Sequence, residues 1–142
     1  MFKEWFYPEI KKIGFEDVKH ALSVQQRNNT LIINTLDTQD QNCLIKGTIH
    51  AQDEERTINK YIDDGVAKTR NIIVYGMNDC DNKLVSKCRQ LQSLGFLDVY
   101  MYMGGLFEWL LLQDIYGDSE FPTTSKAIDI LKYRPPKTWT NI

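Results

Sequence analysis

This 142-residue chain lacks a surplus of positive charge. Seventeen Lys and Arg stand against 19 Asp and Glu, a formal net charge of −2. No field results that would draw nucleic acid or an anionic membrane, so neither is an expected partner. Lys11-Lys12 and Lys132-Tyr133-Arg134 are too short to create such a field locally. Long apolar runs are missing too, and none approaches the roughly 20 residues of a membrane helix. The apolar opening around Phe2, Trp5 and Phe6 is interrupted by Glu4, Pro8 and Glu9, so it does not read as a secretory signal. Cysteine is scarce: Cys43, Cys80 and Cys88 are odd in number and form no CxxC pair, which argues against structural zinc. A reduced intracellular setting, the cytoplasm first, is the expected compartment. Neither a repeat nor a low-complexity linker divides the sequence, and no metal or cofactor is expected.

What is present suits one globular domain. Apolar residues make up 42% and charged residues 25%, ordinary proportions for such a fold. A chain of this length buries about 68–70% of its unfolded surface. Residues 1–12 read as an aromatic arm with Trp5, Phe6 and Tyr7, ending in a short strand from Ile10 to Ile13. Helical spacing of Val18, Ala21, Leu22 and Gln25 predicts a helix from Glu16 to Gln26. Thr30 to Asn34 is a strand with an apolar centre, as in a parallel sheet buried on both faces. A polar loop follows, and Gly47 to His50 is a further short strand. Asp53 to Asp63 is helical and ends at Asp64-Gly65.

Ile72 to Tyr75 is the clearest strand. Asp81 to Leu94 is the clearest helix, with Leu84, Val85, Cys88, Leu91 and Leu94 as its buried stripe and Gly95 as its left-handed cap. Asp98 to Met103 is a strand, and Leu106 to Ile115 a helix that is apolar almost all round. Alternating strands and helices predict a parallel sheet covered on both faces. Beyond residue 117, Phe121-Pro122 is extended. Thr123, Thr124 or Ser125 should cap a short helix running to about Tyr133, which Pro135-Pro136 stops. Trp139, on a polar end, is expected to dock on its own domain.

Ligands of α/β proteins gather where a strand ends and a helix begins. After Tyr75 that loop is Gly76, Met77, Asn78, Asp79, Cys80 and Asp81. It opens with a residue that has no reactive side chain, and it carries two carboxylates. The pattern Ile72 to Tyr75, Leu94-Gly95-Phe96, Val99-Tyr100, Gly104-Gly105 and Trp109 resembles the rhodanese-like domain family. Leu31 to Asn34 and Ile45 to Ile49 match that family more weakly, and the likeness spans roughly residues 13–116. It implies a three-layer α/β/α sandwich around a five-stranded, mainly parallel sheet, with 117–142 as an extension.

The resemblance also implies sulfur transfer through a cysteine persulfide, or phosphate removal through a cysteinyl phosphate. In both, the cysteine stands first in the loop, amides cradle the anion and an arginine assists. Here Gly76 occupies the cysteine position, Asp79 the loop glycine and Asp81 the arginine. Asn34, Thr35 and Leu36 stand at an upstream Asp-x-Arg, and Leu44 at a histidine. The family's catalytic residues therefore do not carry over.

Cys80 is the one candidate for a displaced nucleophile. A thiolate needs positive potential, and Asp79 and Asp81 supply the opposite. That repulsion exceeds what a helix terminus returns, so Cys80 reads as an ordinary loop thiol and oxyanions as poor ligands. Asp79 and Asp81 read as helix-capping groups, Cys88 as core and Cys43 as a loop thiol. His20 and His50 are isolated and complete no triad.

The first expectation is a pseudoenzyme: an inactive rhodanese-like domain that binds protein as a regulatory module or a structural component of an assembly. Trp5, Phe6, Tyr7, Phe121 and Trp139 are its candidate contact residues. The alternative is a thiosulfate sulfurtransferase or phosphatase-like enzyme that uses Cys80. A third expectation is a small molecule bound in the space that Gly76 leaves.

Overall fold

The computed structural model describes residues 8–23, 27–137 and 139. Four parallel strands form one sheet: β1 (Lys11–Ile13), β2 (Thr30–Asn34), β3 (Asn71–Tyr75) and β4 (Asp98–Tyr102). Their order is β1-β4-β3-β2, with Asn34 beside Tyr75 and Tyr75 beside Tyr102. Among the described residues four α-helices accompany them: α1 (Phe15–Ala21), α2 (Ala51–Asp63), α3 (Lys83–Ser93) and α4 (Gly105–Tyr116). Alternation along β3 feeds two cores. Ile73 and Tyr75 join Val18, Trp109 and Leu110 on one face, while Ile72 and Val74 join Ile58, Leu84 and Cys88 on the other. The three-layer arrangement follows from that two-sided burial.

The fifth strand expected at Gly47 to His50 is reduced to one parallel bridge, Ile32 to Thr48. Thr48 turns back on itself: its N–H and its hydroxyl both donate to the Ile45 carbonyl, at 3.0 and 2.6 Å. α2 starts at Ala51, directly after His50, so no length is left for a ladder. The buried Tyr75 hydroxyl holds this turn in place, accepting from the Ile45 N–H at 3.1 Å and pairing with Thr48 Oγ1 at 2.7 Å.

Other boundaries differ for local reasons. α1 ends at Ala21 rather than Gln26, with Val18 and Ala21 as its buried positions; residues 24–26 lie outside the described residues. In α3 the stripe is Leu84, Cys88 and Leu91, whereas Val85 and Leu94 are exposed. Val85 lies one residue, about 100°, round from the i, i+4, i+7 line. Leu94 is the cap residue beyond the last turn. Thr123 to Ser125 start no helix. They run against residues 42–46 instead, with an antiparallel bridge from Ile45 to Thr123. The turn that does form is Ile130–Tyr133, a 3₁₀ helix capped by the Asp129 carboxylate, which accepts from the Leu131 N–H at 3.1 Å.

Gly95 closes α3 as expected. Its φ is +104°, and the N–H groups of Gly95 and Phe96 reach the carbonyls of Gln92 and Leu91 at 3.0 and 3.2 Å, the paired bonds of a Schellman cap. A Cβ there would meet nothing within 4 Å, so the cost of adding one comes from the backbone alone. Gly95→Ala is expected to lower stability by about 1–2 kcal/mol. The check is urea unfolding, where the midpoint should fall with an unchanged slope.

Candidate functional site

The loop of residues 76–81 leaves the carboxyl end of β3 between α3 and α4. Parallel register brings Asn34 level with Tyr75, so the next residue, Thr35, lies against the loop. The Thr35 N–H donates to the Tyr75 carbonyl at 3.0 Å. Its hydroxyl donates to Asp81 Oδ2 at 2.7 Å. The same oxygen accepts from the Met77 N–H at 3.4 Å, and Oδ1 accepts from the Lys83 N–H at 2.9 Å. Asp81 thus caps α3 with one oxygen and turns the other into the loop.

That carboxylate lies over Gly76. A Cβ placed on Gly76 would come within 2.7 Å of both Cβ and Cγ of Asp81 and would overlap Oδ2. Gly76 is not among the glycines with positive φ, so its backbone would accept an ordinary residue. It is the Asp81 side chain that excludes one. The space expected for a small molecule above Gly76 is therefore filled from within the chain.

The opposite side of the loop is tied to α4. Leu106 and Phe107 donate their N–H groups to the carbonyls of Gly76 and Met77 at 3.0 and 2.9 Å. Early amides of a helix otherwise have no internal partner, and here they hold the loop. Such an approach requires Gly105, with φ +65°, because a Cβ there would stand 2.7 Å from the Gly76 oxygen and 3.0 Å from the Asn78 nitrogen. Asn78 is buried. Its Oδ1 accepts from the Cys80 N–H at 2.9 Å, and its Nδ2 donates to the carbonyls of Tyr133 and Arg134 at 3.0 and 3.2 Å. The segment after residue 117 thereby reaches back to the loop.

Solved structures with this architecture include the following three. The Alr3790 protein from Anabaena sp. aligns with a TM-score of 0.55 at 24% identity, over 84% of this chain and 96% of that one. Saccharomyces cerevisiae Ygr203w, a homolog of single-domain rhodanese and of the Cdc25 phosphatase catalytic domain, aligns with a TM-score of 0.59 at 18% identity, over 85% and 91%. The rhodanese-like domain of the Anabaena protein, solved by NMR, gives 0.50 at 23% identity, over 86% and 89%. This chain has the rhodanese-like fold. No protein-family model matches its sequence, and no curated protein matches it significantly.

On the rhodanese-like frame the remaining candidate residues separate. Cys80 is exposed and Cys43 and Cys88 are buried. Partial desolvation, then the hydrogen bond to Asp79 Oδ1 at 3.5 Å and its charge, push the Cys80 thiol above its ordinary range. Asp79 is exposed and, unlike Asp81, caps no helix; its contact is the Cys80 thiol. Cys43 lies in a loop, as expected, but is buried there: its Sγ donates to the Ser125 carbonyl at 3.2 Å against the core. Burial pushes the Cys88 thiol up to about 12, which suits a packing role.

Phe121, expected at a contact surface, is buried against Trp109 with ring centroids 5.0 Å apart. Trp139, expected to dock on its own domain, is 83% exposed. Trp5, Phe6 and Tyr7 lie outside the described residues. Among the described residues no cluster of three or more His, Cys, Asp or Glu could hold a metal ion, and no helix is long and apolar enough to cross a membrane.

Thr35, placed by the resemblance within the upstream Asp-x-Arg position, was given no role by the sequence, yet it holds Asp81. Its signal was topological: it follows a parallel strand that adjoins β3, so the two strand ends had to meet. The packing of Asp81 on Gly76 makes a double-mutant cycle informative. Gly76→Ala alone is expected to cost about 1–3 kcal/mol, the usual range for overpacking. Made together with Asp81→Gly, which removes the Cβ at 2.7 Å along with the carboxylate, it should cost clearly less, a coupling of about 1–3 kcal/mol by chemical denaturation. Additive losses would show that the two residues do not share this space.

Proposed function

We propose that this domain keeps the rhodanese-like fold without its cysteine chemistry and works by binding a protein partner, as a regulatory module or a structural component. The observation that carries the reading is the Asp81 carboxylate over Gly76. A nucleophile attached at position 76 and this carboxylate cannot occupy the same space. Persulfide or phosphoryl chemistry also needs donors aimed at a developing anion. In this loop the Met77 N–H and the Thr35 hydroxyl already face a carboxylate.

Cys80 is poorly suited to replace the missing group. It projects to solvent next to Asp79, and its thiol is harder to ionise than a free one. A thiolate there gains neither a cation nor a cradle, both of which activated cysteines use. The exposed apolar side chains of Ile128, Leu131 and Trp139 near the C-terminus support a role in association.

The direct experiment measures thiosulfate–cyanide sulfur transfer and p-nitrophenyl phosphate hydrolysis. Wild type and Cys80→Ser are both expected to show no turnover above buffer. Affinity capture should recover the same protein with either chain. Turnover present in wild type and lost in Cys80→Ser would overturn the reading.

A further inference from the structure

The loop stands at the carboxyl end of the sheet. At the amino end, under α1, a cleft of about 260 Å³ opens. It comes from a mismatch of lengths. The seven residues of α1 make a helix about 10 Å long, whereas the five residues of β3 extend about 16 Å. The helix does not cover the first row of the sheet, where Thr30 stands beside Asn71.

The floor of the cleft is apolar, made of Ile13, Ala21 and Ile73. Five polar side chains border it: Asp17 and His20 from α1, and Thr30, Asn71 and Tyr100 from the strands. All can be reached from solvent, the two on the helix being exposed and the three on the sheet half-buried. Among the described residues none of these five side chains makes a hydrogen bond or an ion pair within the chain. Lys11 is the register partner of Tyr100. Its ammonium lies over that ring, 5.7 Å from the centre, and leaves the Asp17 carboxylate unpaired.

Charge and size narrow the occupant. Asp17 is the one described lining residue that is ionised at neutral pH, so the cleft repels carboxylate and phosphate and attracts a cation. Its volume falls below the roughly 300–1,000 Å³ of sites that enclose a whole small molecule and suits a single side chain. The acceptors stand on two walls, Asp17 on the helix and Thr30 and Asn71 on the sheet. A guanidinium spreads its N–H donors over a planar fork and can serve both walls, whereas an ammonium is a point charge. An apolar floor matches the methylene stem behind such a head group.

We propose that this cleft docks one arginine side chain of the protein partner. The guanidinium donates to the Asp17 carboxylate, Asn71 Oδ1 and Thr30 Oγ1, and its stem lies on Ile13 and Ile73. The assignment rests on the protein-binding reading and adds the surface and the chemistry of the partner. That surface is the amino end of the sheet, about 13 Å along β3 from the loop.

The test is an NMR titration of the ¹⁵N-labelled full chain with the acetylated, amidated tripeptide Gly-Arg-Gly. Saturable shifts are expected at residues 17–21 and 71–73 and at Thr30 and Tyr100, with none at residues 76–81. The same tripeptide with citrulline in place of arginine, alike in shape and uncharged, should produce none. Asp17→Asn, an isosteric change at an exposed position, should weaken binding about tenfold. Asn71→Asp adds a second carboxylate and should tighten it, a gain that a misfolded chain cannot give. Absent or non-saturable shifts, an equal response to the citrulline peptide, or unchanged affinity in either variant would overturn the site. Gly-Lys-Gly bound as tightly as Gly-Arg-Gly would overturn the guanidinium assignment. No turnover is read in this titration. A negative result removes the docking site alone, whereas Cys80-dependent turnover removes the non-catalytic reading.

Discussion

The carboxylate of Asp81 fills the space over Gly76 at the end of β3. Three donors from three places meet it: the Thr35 hydroxyl after β2, the Met77 N–H in the loop and the Lys83 N–H at the start of α3. Hydrogen bonds to a charged group contribute about 1.5–3 kcal/mol each when well formed, so an incoming anion would have to displace a tethered competitor. The glycine at position 76 fits this arrangement. It is the residue that leaves room for Asp81, and a larger one would force the carboxylate out.

Around that centre the loop is held from every side. α4 supplies amides to its carbonyls, Gly105 permits the close approach, and Asn78 reaches the carbonyls of Tyr133 and Arg134. Residues after 117 contribute to the core as well as to the loop. Trp109 Nε1 donates to the Pro122 carbonyl at 3.1 Å, Gln113 Nε2 to the Phe121 carbonyl at 2.7 Å, and the Thr124 N–H to the Leu44 carbonyl at 2.8 Å. Phe121 and Tyr133 are buried in the same cluster as Tyr75. A loop held by these bonds is pre-organised, as the proposed protein-binding role requires.

Much of the frame was legible from residue pattern. The strands at Thr30 to Asn34 and Ile72 to Tyr75 are continuous apolar runs, the signature of two-sided burial, and both lie where they were expected. Gly95 announced the end of α3 because a left-handed residue was needed there. Long-range packing was less visible. The burial of the loop thiol Cys43 could not be read because its partner lies far away in sequence: Cys43 meets Ser125 across 82 residues. The insertion of Asp81 depends on a side-chain direction and on Thr35, 46 residues distant. The charge of the loop could be read from the sequence, but its consequence, a filled site rather than an empty one, could not.

The most direct measurement is a crystal structure of the wild-type chain grown with sulfate or soaked in thiosulfate. The account predicts Asp81 Oδ2 within hydrogen-bonding distance of Thr35 Oγ1 and no oxyanion on the Met77 amide. Asp81 turned outward, with an oxyanion bound at that amide in its place, would contradict it.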